Sequence, residues 1–111
     1  MAYRKLRAEE IALIETLLSF GGREDLIASL KDAEVRDIPG GEIGSLVFAP
    51  VNSGERKFGD VLATAEATDS DGATITFALN LDRSGALYEL DIWKDDFSHV
   101  ITLPDAGSLR R

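Results

Sequence analysis

The sequence predicts an α+β domain: an N-terminal helical hairpin packed on an antiparallel sheet of about five strands, ending in a three-stranded meander. Three observations predict it. Apolar residues recur at three- and four-residue spacing over Ala8–Phe20, the pattern of a half-buried helix. From Val61 onward the period drops to two, the signature of strands whose side chains alternate between faces. Two Asp- and Gly-bearing turn signals, Asp69-Ser70-Asp71-Gly72 and Asp82-Arg83-Ser84-Gly85, then divide that region into three strands.

In chain order, Met1–Arg7 carries Arg4, Lys5 and Arg7 and reads as an arm leading into the first helix. That helix places Ile11, Ile14, Leu17 and Leu18 on one side and Glu9 and Glu10 in its first turn, where carboxylates favour the positive end of the dipole. Gly21-Gly22 stops it, and Arg23–Lys31 reads as a shorter second helix with Leu26, Ile27 and Leu30 on one face. Val35–Phe48 reads as a first hairpin around the turn Asp37-Ile38-Pro39-Gly40-Gly41, with its second strand at Ser45–Phe48. Asn52–Lys57 is a polar loop, expected to be the most mobile segment.

The meander begins with Val61–Asp69, where Val61, Ala63, Ala65 and Ala67 share a side, a row small enough for a helix to pack close. Ala73–Leu81 follows, with Ile75, Phe77, Leu79 and Leu81 inward and Thr74, Thr76, Ala78 and Asn80 outward. Leu87–Trp93 closes it, with Tyr88, Leu90 and Ile92 inward and Leu87, Glu89, Asp91 and Trp93 outward. Lys94-Asp95-Asp96 ends that strand, and Phe97, Val100, Ile101 and Leu103 are expected to fold back over an edge of the sheet.

The 111 residues suit one domain spanning 1–111, and a hydrophobic share of 44% suits a packed core rather than disorder. The absence of cysteine removes disulfides and thiolate chemistry and fits a cytoplasmic location. The first residues lack the apolar stretch of a secretory signal, and no apolar run is long enough to span a bilayer. Net charge is −8, a field that disfavours nucleic acid and anionic membranes and attracts a basic protein.

Candidate sites cluster around the last strand. Glu89, Asp91, Trp93, Lys94, Asp95 and Asp96 form the densest charged group, and Glu89 and Asp91 share a face with carboxylates about 7 Å apart at the two-residue strand repeat. Such a pair suits acid–base work or the binding of a hard cation; the plainer reading is a solvated sheet face and turn, with Asp91 or Glu89 pairing with Arg or Lys on a neighbouring strand. Trp93 is either a contact residue or packed under Val100–Leu103. Asp69, Asp71 and Gly72 resemble the start of a calcium loop, but position twelve is Asn80 and the flanks are strands, so a hairpin turn is the better reading. His99, the lone histidine, lacks any partner at catalytic or metal-binding spacing and reads as a loop residue. No catalytic residues, metal or cofactor are assigned.

The stretches RKLRAEEIALIETLL (Arg4–Leu18), RDIPGGEIGSLVF (Arg36–Phe48) and LYELDIWKDDF (Leu87–Phe97) resemble a family of small bacterial single-domain proteins of unknown function. Such proteins carry a Leu-Asp-Ile-Trp-Lys phrase followed by phenylalanine and then serine-proline; here Ser98-His99 stands in the last place. The resemblance implies a bacterial source and one α+β domain, and supplies no catalytic residues. The same phrase is similar to stretches of small acidic immunity proteins of toxin systems. The expectation is therefore a non-enzymatic cytoplasmic protein that binds a basic partner, with an immunity-type inhibitor as its sharpest form. The alternative is a small ligand-binding protein or enzyme using Glu89 and Asp91, with His99 in a cleft under the C-terminal segment. A homodimer through the open sheet face or an edge strand is the third reading.

Overall fold

Alternating small and branched residues in the second half of the chain build the sheet, and the N-terminal segment covers it. A computed structural model describes residues 2–50 and 56–111. In chain order these form β1 (Arg4–Lys5), α1 (Ala8–Phe20), a 3₁₀ helix (Glu24–Lys31), β2 (Glu34–Asp37), β3 (Leu46–Phe48), β4 (Phe58–Thr68), β5 (Thr74–Asp82), β6 (Leu87–Lys94) and a last 3₁₀ turn (Ala106–Ser108). All strand pairs are antiparallel, and the sheet runs β1-β2-β3-β6-β5-β4.

The α+β class and the meander β4-β5-β6 stand as the sequence predicts. The sheet has six strands rather than five, because the N-terminal arm pairs with β2 through Arg4 opposite Val35. Its anchor is an ion pair. Arg4 grips the buried Glu10 of α1 with both terminal guanidinium nitrogens, Nη1 and Nη2, at 2.8 and 2.9 Å, and also reaches Asp37 at 2.9 Å. Glu10 in turn accepts the Arg7 N–H at 2.8 Å, satisfying a free donor at the helix start. Burial works against the Glu10 anion, but Arg4 and the Arg7 N–H outweigh it and hold its carboxyl below the usual range. The expected second helix is a 3₁₀ helix, so the hairpin is an α-helix and a 3₁₀ turn packed together rather than two α-helices. Of Asn52–Lys57, residues 52–55 lie outside the described residues.

The core lies between the sheet and α1. Leu13, Ile14, Leu17 and Leu18 meet Ala63, Ala65, Ala67, Ile75, Phe77, Leu79, Leu90 and Ile92. Both meander turns share one geometry. Asp69 N–H donates to Ala73 O and Gly72 N–H to Asp69 O; Asp82 N–H donates to Ala86 O and Gly85 N–H to Asp82 O. Gly72 (φ 88°) and Gly85 (φ 86°) take the left-handed position of these three-residue loops. Register shifts displace three predicted facings. In β4 the shift between Val61 and Ala63 leaves Val61 exposed, out of the alanine row. At Asn80/Leu81 a second shift sets Leu87 opposite Leu81. Leu87 then packs on the core, whereas Tyr88 lies under the Arg56 guanidinium, 4.7 Å from its centroid. Gly59, beside another irregularity, has no room for a β-carbon, which would fall 2.4 Å from Asp82 O.

The C-terminal segment is tied down from within. Lys94, expected in a turn, is the last residue of β6, 1% exposed and on the core side. Its Nζ meets Asp69 at 3.0 Å and Asp71 at 2.6 Å. Asp69, buried, also accepts the N–H groups of Ile101 and Thr102 at 2.7 and 3.0 Å. Burial alone would raise the Asp69 carboxyl; these N–H groups and Lys94 hold it far below the usual carboxylate range. Val100 and Leu103 consequently join the core, whereas Phe97 and Ile101, expected to cover a sheet edge, stay exposed. The β4 edge is instead met by Arg110, which exchanges backbone hydrogen bonds with Glu66.

Replacing Lys94 by Met should strand a buried carboxylate and lower the melting temperature at pH 7 by about 10 °C or more. The Asp69 and Asp71 carboxyls are depressed, so their contribution is present above the ordinary carboxylate pKa of about 4 and is lost as pH falls below it. Thermal unfolding from pH 7 to pH 2 should show the gap between variant and wild type closing in acid.

Candidate functional site

Antiparallel register builds a polar row on the sheet face away from α1. Arg36 stands opposite Val47, Val47 opposite Glu89, Glu89 opposite Asn80 and Asn80 opposite Val61. One step along, Asp91 is paired with Ala78, and Trp93 with Thr76. The carboxylates of Glu89 and Asp91 therefore lie side by side, each half-buried, across from a single amide.

That amide belongs to Asn80, which is 4% exposed. Its Nδ2 donates to Asp91 Oδ2 at 3.0 Å and to Glu89 Oε1 at 3.3 Å. Its Oδ1 is buried without a partner among the described residues. Neither carboxylate makes an ion pair among those residues, contrary to the expectation of a basic neighbour, since the cross-strand places are taken by Val47, Asn80 and Ala78. Burial raises the Glu89 carboxyl, the Asp91 charge adds to it, and Asn80 and Arg56 oppose it. Burial likewise raises Asp91 against the Asn80 hydrogen bond.

Of the six predicted site residues, four share this face or its end. Trp93 is 39% exposed there; of the segment expected to cover it, Val100 and Leu103 pack on the core instead. Asp95 continues the row, accepting the Thr76 hydroxyl at 2.7 Å. Lys94 and Asp96 do not join it. Lys94 is buried on the opposite face with Asp69 and Asp71, where its ammonium fills the place a calcium ion would need. Asp96 folds onto its own loop, accepting from Ser98 N and Oγ at 3.0 and 2.6 Å. His99 is fully exposed and faces Glu42 at 3.0 Å, apart from the carboxylate pair.

Sequence reasoning placed Asn80 outward but gave it no role; the turn at Asp82–Gly85 alone would set Tyr88 across from it, and the shift at Asn80/Leu81, which the sequence does not signal, brings Glu89 there instead. It also missed Arg56. Arg56 pairs with Asp82 at 3.0 Å, donates to the carbonyls of Phe48 and Leu87, and stacks on Tyr88, fixing the start of β6. A cleft of about 470 Å³ opens between Leu26, Ala33, Phe48, Pro50 and Leu87, on the helix side and away from the carboxylates. Among the described residues no group of three His, Asp or Glu side chains is placed to hold a metal, and no helix is long and apolar enough to cross a membrane.

Residues 3–104 match the family model described as a domain of unknown function (DUF6984), so the chain belongs to that family. No curated protein and no solved structure matches it.

Glu89 and Asp91 hold raised pKa values in the folded chain, so their ionisation works against folding as pH rises through them. The double variant Glu89→Gln/Asp91→Asn should therefore unfold at a higher urea midpoint than wild type at pH 7. The difference should shrink as pH is lowered into the range where the wild-type pair is protonated.

Proposed function

We propose that this member of the family is a protein-binding module whose open sheet face receives a basic partner. The carrying observation is the pair Glu89–Asp91, half-buried, hydrogen-bonded to one amide, in no ion pair among the described residues and beside the partly exposed Trp93. Two carboxylates kept in a desolvated place at the expense of stability suit a surface completed by a partner's ammonium or guanidinium groups. The net charge of −8 draws such a partner in, and a tryptophan next to the charges supplies contact area of the kind that dominates binding energy. An inhibitor that caps the active surface of a basic toxin is the sharpest form of this reading.

A tagged chain should retain a stoichiometric basic protein from the source cells at low salt and release it at high salt. Glu89→Lys/Asp91→Lys should cut retention at least about tenfold and flatten its salt dependence. Undiminished binding by that variant would place the interaction on another surface.

A further inference from the structure

The loop after β6 presents an aromatic side chain that the fold itself does not use. Phe97 is 91% exposed, and its backbone lies at φ 62°. It is the one non-glycine residue in the left-handed region among the described residues, a place a bulky L-residue occupies against a steric cost. The side chain takes no part in the core formed by the described residues.

The loop is nevertheless held in shape along its length. Phe97 N–H donates to Lys94 O at 2.9 Å, and Asp96 closes a turn onto Ser98. Lys94 Nζ reaches His99 O at 3.3 Å. Glu42, from the β2–β3 connection, accepts Val100 N–H at 3.0 Å and faces the His99 ring. Asp69 takes the next two N–H groups. Gly44, at a left-handed φ of 86°, brings the same connection against the terminal methyls of Ile92 and Leu103. Ile43 and Ile101, both exposed, lie in the two segments that Glu42 joins, and Asp95 and Asp96 stand exposed just before Phe97.

We propose that this loop is a pre-organised contact surface, with Phe97 as the aromatic anchor that enters an apolar pocket on a basic protein. A loop backbone already held in place loses little freedom on binding, and aromatic anchors ringed by weaker contacts carry most of the energy of such interfaces. The adjacent carboxylates select a positively charged rim. A second copy of this chain, itself at −8, is disfavoured as the occupant. The inference rests on the protein-binding reading above but uses residues other than Glu89 and Asp91.

Phe97→Gly suits the left-handed backbone and should keep or raise the melting temperature. The photo-crosslinking residue p-benzoylphenylalanine is placed at position 97 of the full chain in the source cells, and at Ser19 of α1 as an exposed control. The expected result is an adduct from 97 with a protein of net positive charge, absent from 19. Excess wild-type chain should abolish it, and excess Phe97→Gly chain should not. An adduct with another copy of this chain, a yield no higher than at Ser19, equal competition by the glycine variant, or a lowered melting temperature in that variant would each overturn the proposal. The same label at Trp93 separates the two surfaces. An adduct from 93 alone removes the loop and leaves the sheet face; adducts from neither remove both.

Discussion

The arrangement of this chain depends on a lysine buried with two aspartates. Lys94 is the last residue of the last strand, Asp69 and Asp71 form the turn two strands back, and the N–H groups of Ile101 and Thr102 complete the Asp69 shell. One set of charge-assisted bonds thus locks the meander end, fixes where β6 stops, and draws the C-terminal segment onto the core. Such a group costs desolvation, and it repays that cost only because almost every lone pair and proton has a partner. The lysine ammonium sits between Asp69 and Asp71, the two carboxylates that resemble the start of a calcium loop. A side chain supplies the cation, so the Asp-rich turn is complete without a metal.

Against that tightly satisfied interior, the opposite face of the sheet stands out for what it leaves unmatched. Glu89 and Asp91 share one amide, Asn80 keeps a buried oxygen without a partner among the described residues, and Trp93 is partly open. The same chain pairs Glu10, Asp69, Asp71 and Asp82 with arginine or lysine at 3.0 Å or less. The unpaired carboxylates are therefore not explained by a lack of cations in the sequence. Placement decides it: the positions across from them hold valine, asparagine and alanine.

The meander was legible because its turns and its period of two are local signals, and because Ala63, Ala65, Ala67, Ile75, Phe77, Leu79, Leu90 and Ile92 alternate without interruption. The strand at Arg4–Lys5 was not legible, since two basic residues carry no strand signal; it forms through the ion pair with Glu10 and the pairing to Val35, both tertiary. Lys94 was misread for a related reason. A lysine before two aspartates looks like a turn unless one knows that Asp69 waits beneath it. Tyr88 and Val61 were assigned to the wrong face because a register shift, invisible in the pattern, inverts the alternation. The acidic cluster was found by density alone, which cannot tell Asp95, on the row, from Asp96, turned into its own loop. The role of Asn80 needed the cross-strand register.

Glu89 and Asp91 are held where burial opposes their charges and the Asn80 amide is the donor they share. Carbon-detected NMR titration of the side-chain carboxyls in the free protein tests it most directly. The account expects both to titrate above ordinary glutamate and aspartate, with each perturbed by the other's ionisation. Titration of both at or below ordinary values would show a plain solvated surface and contradict it.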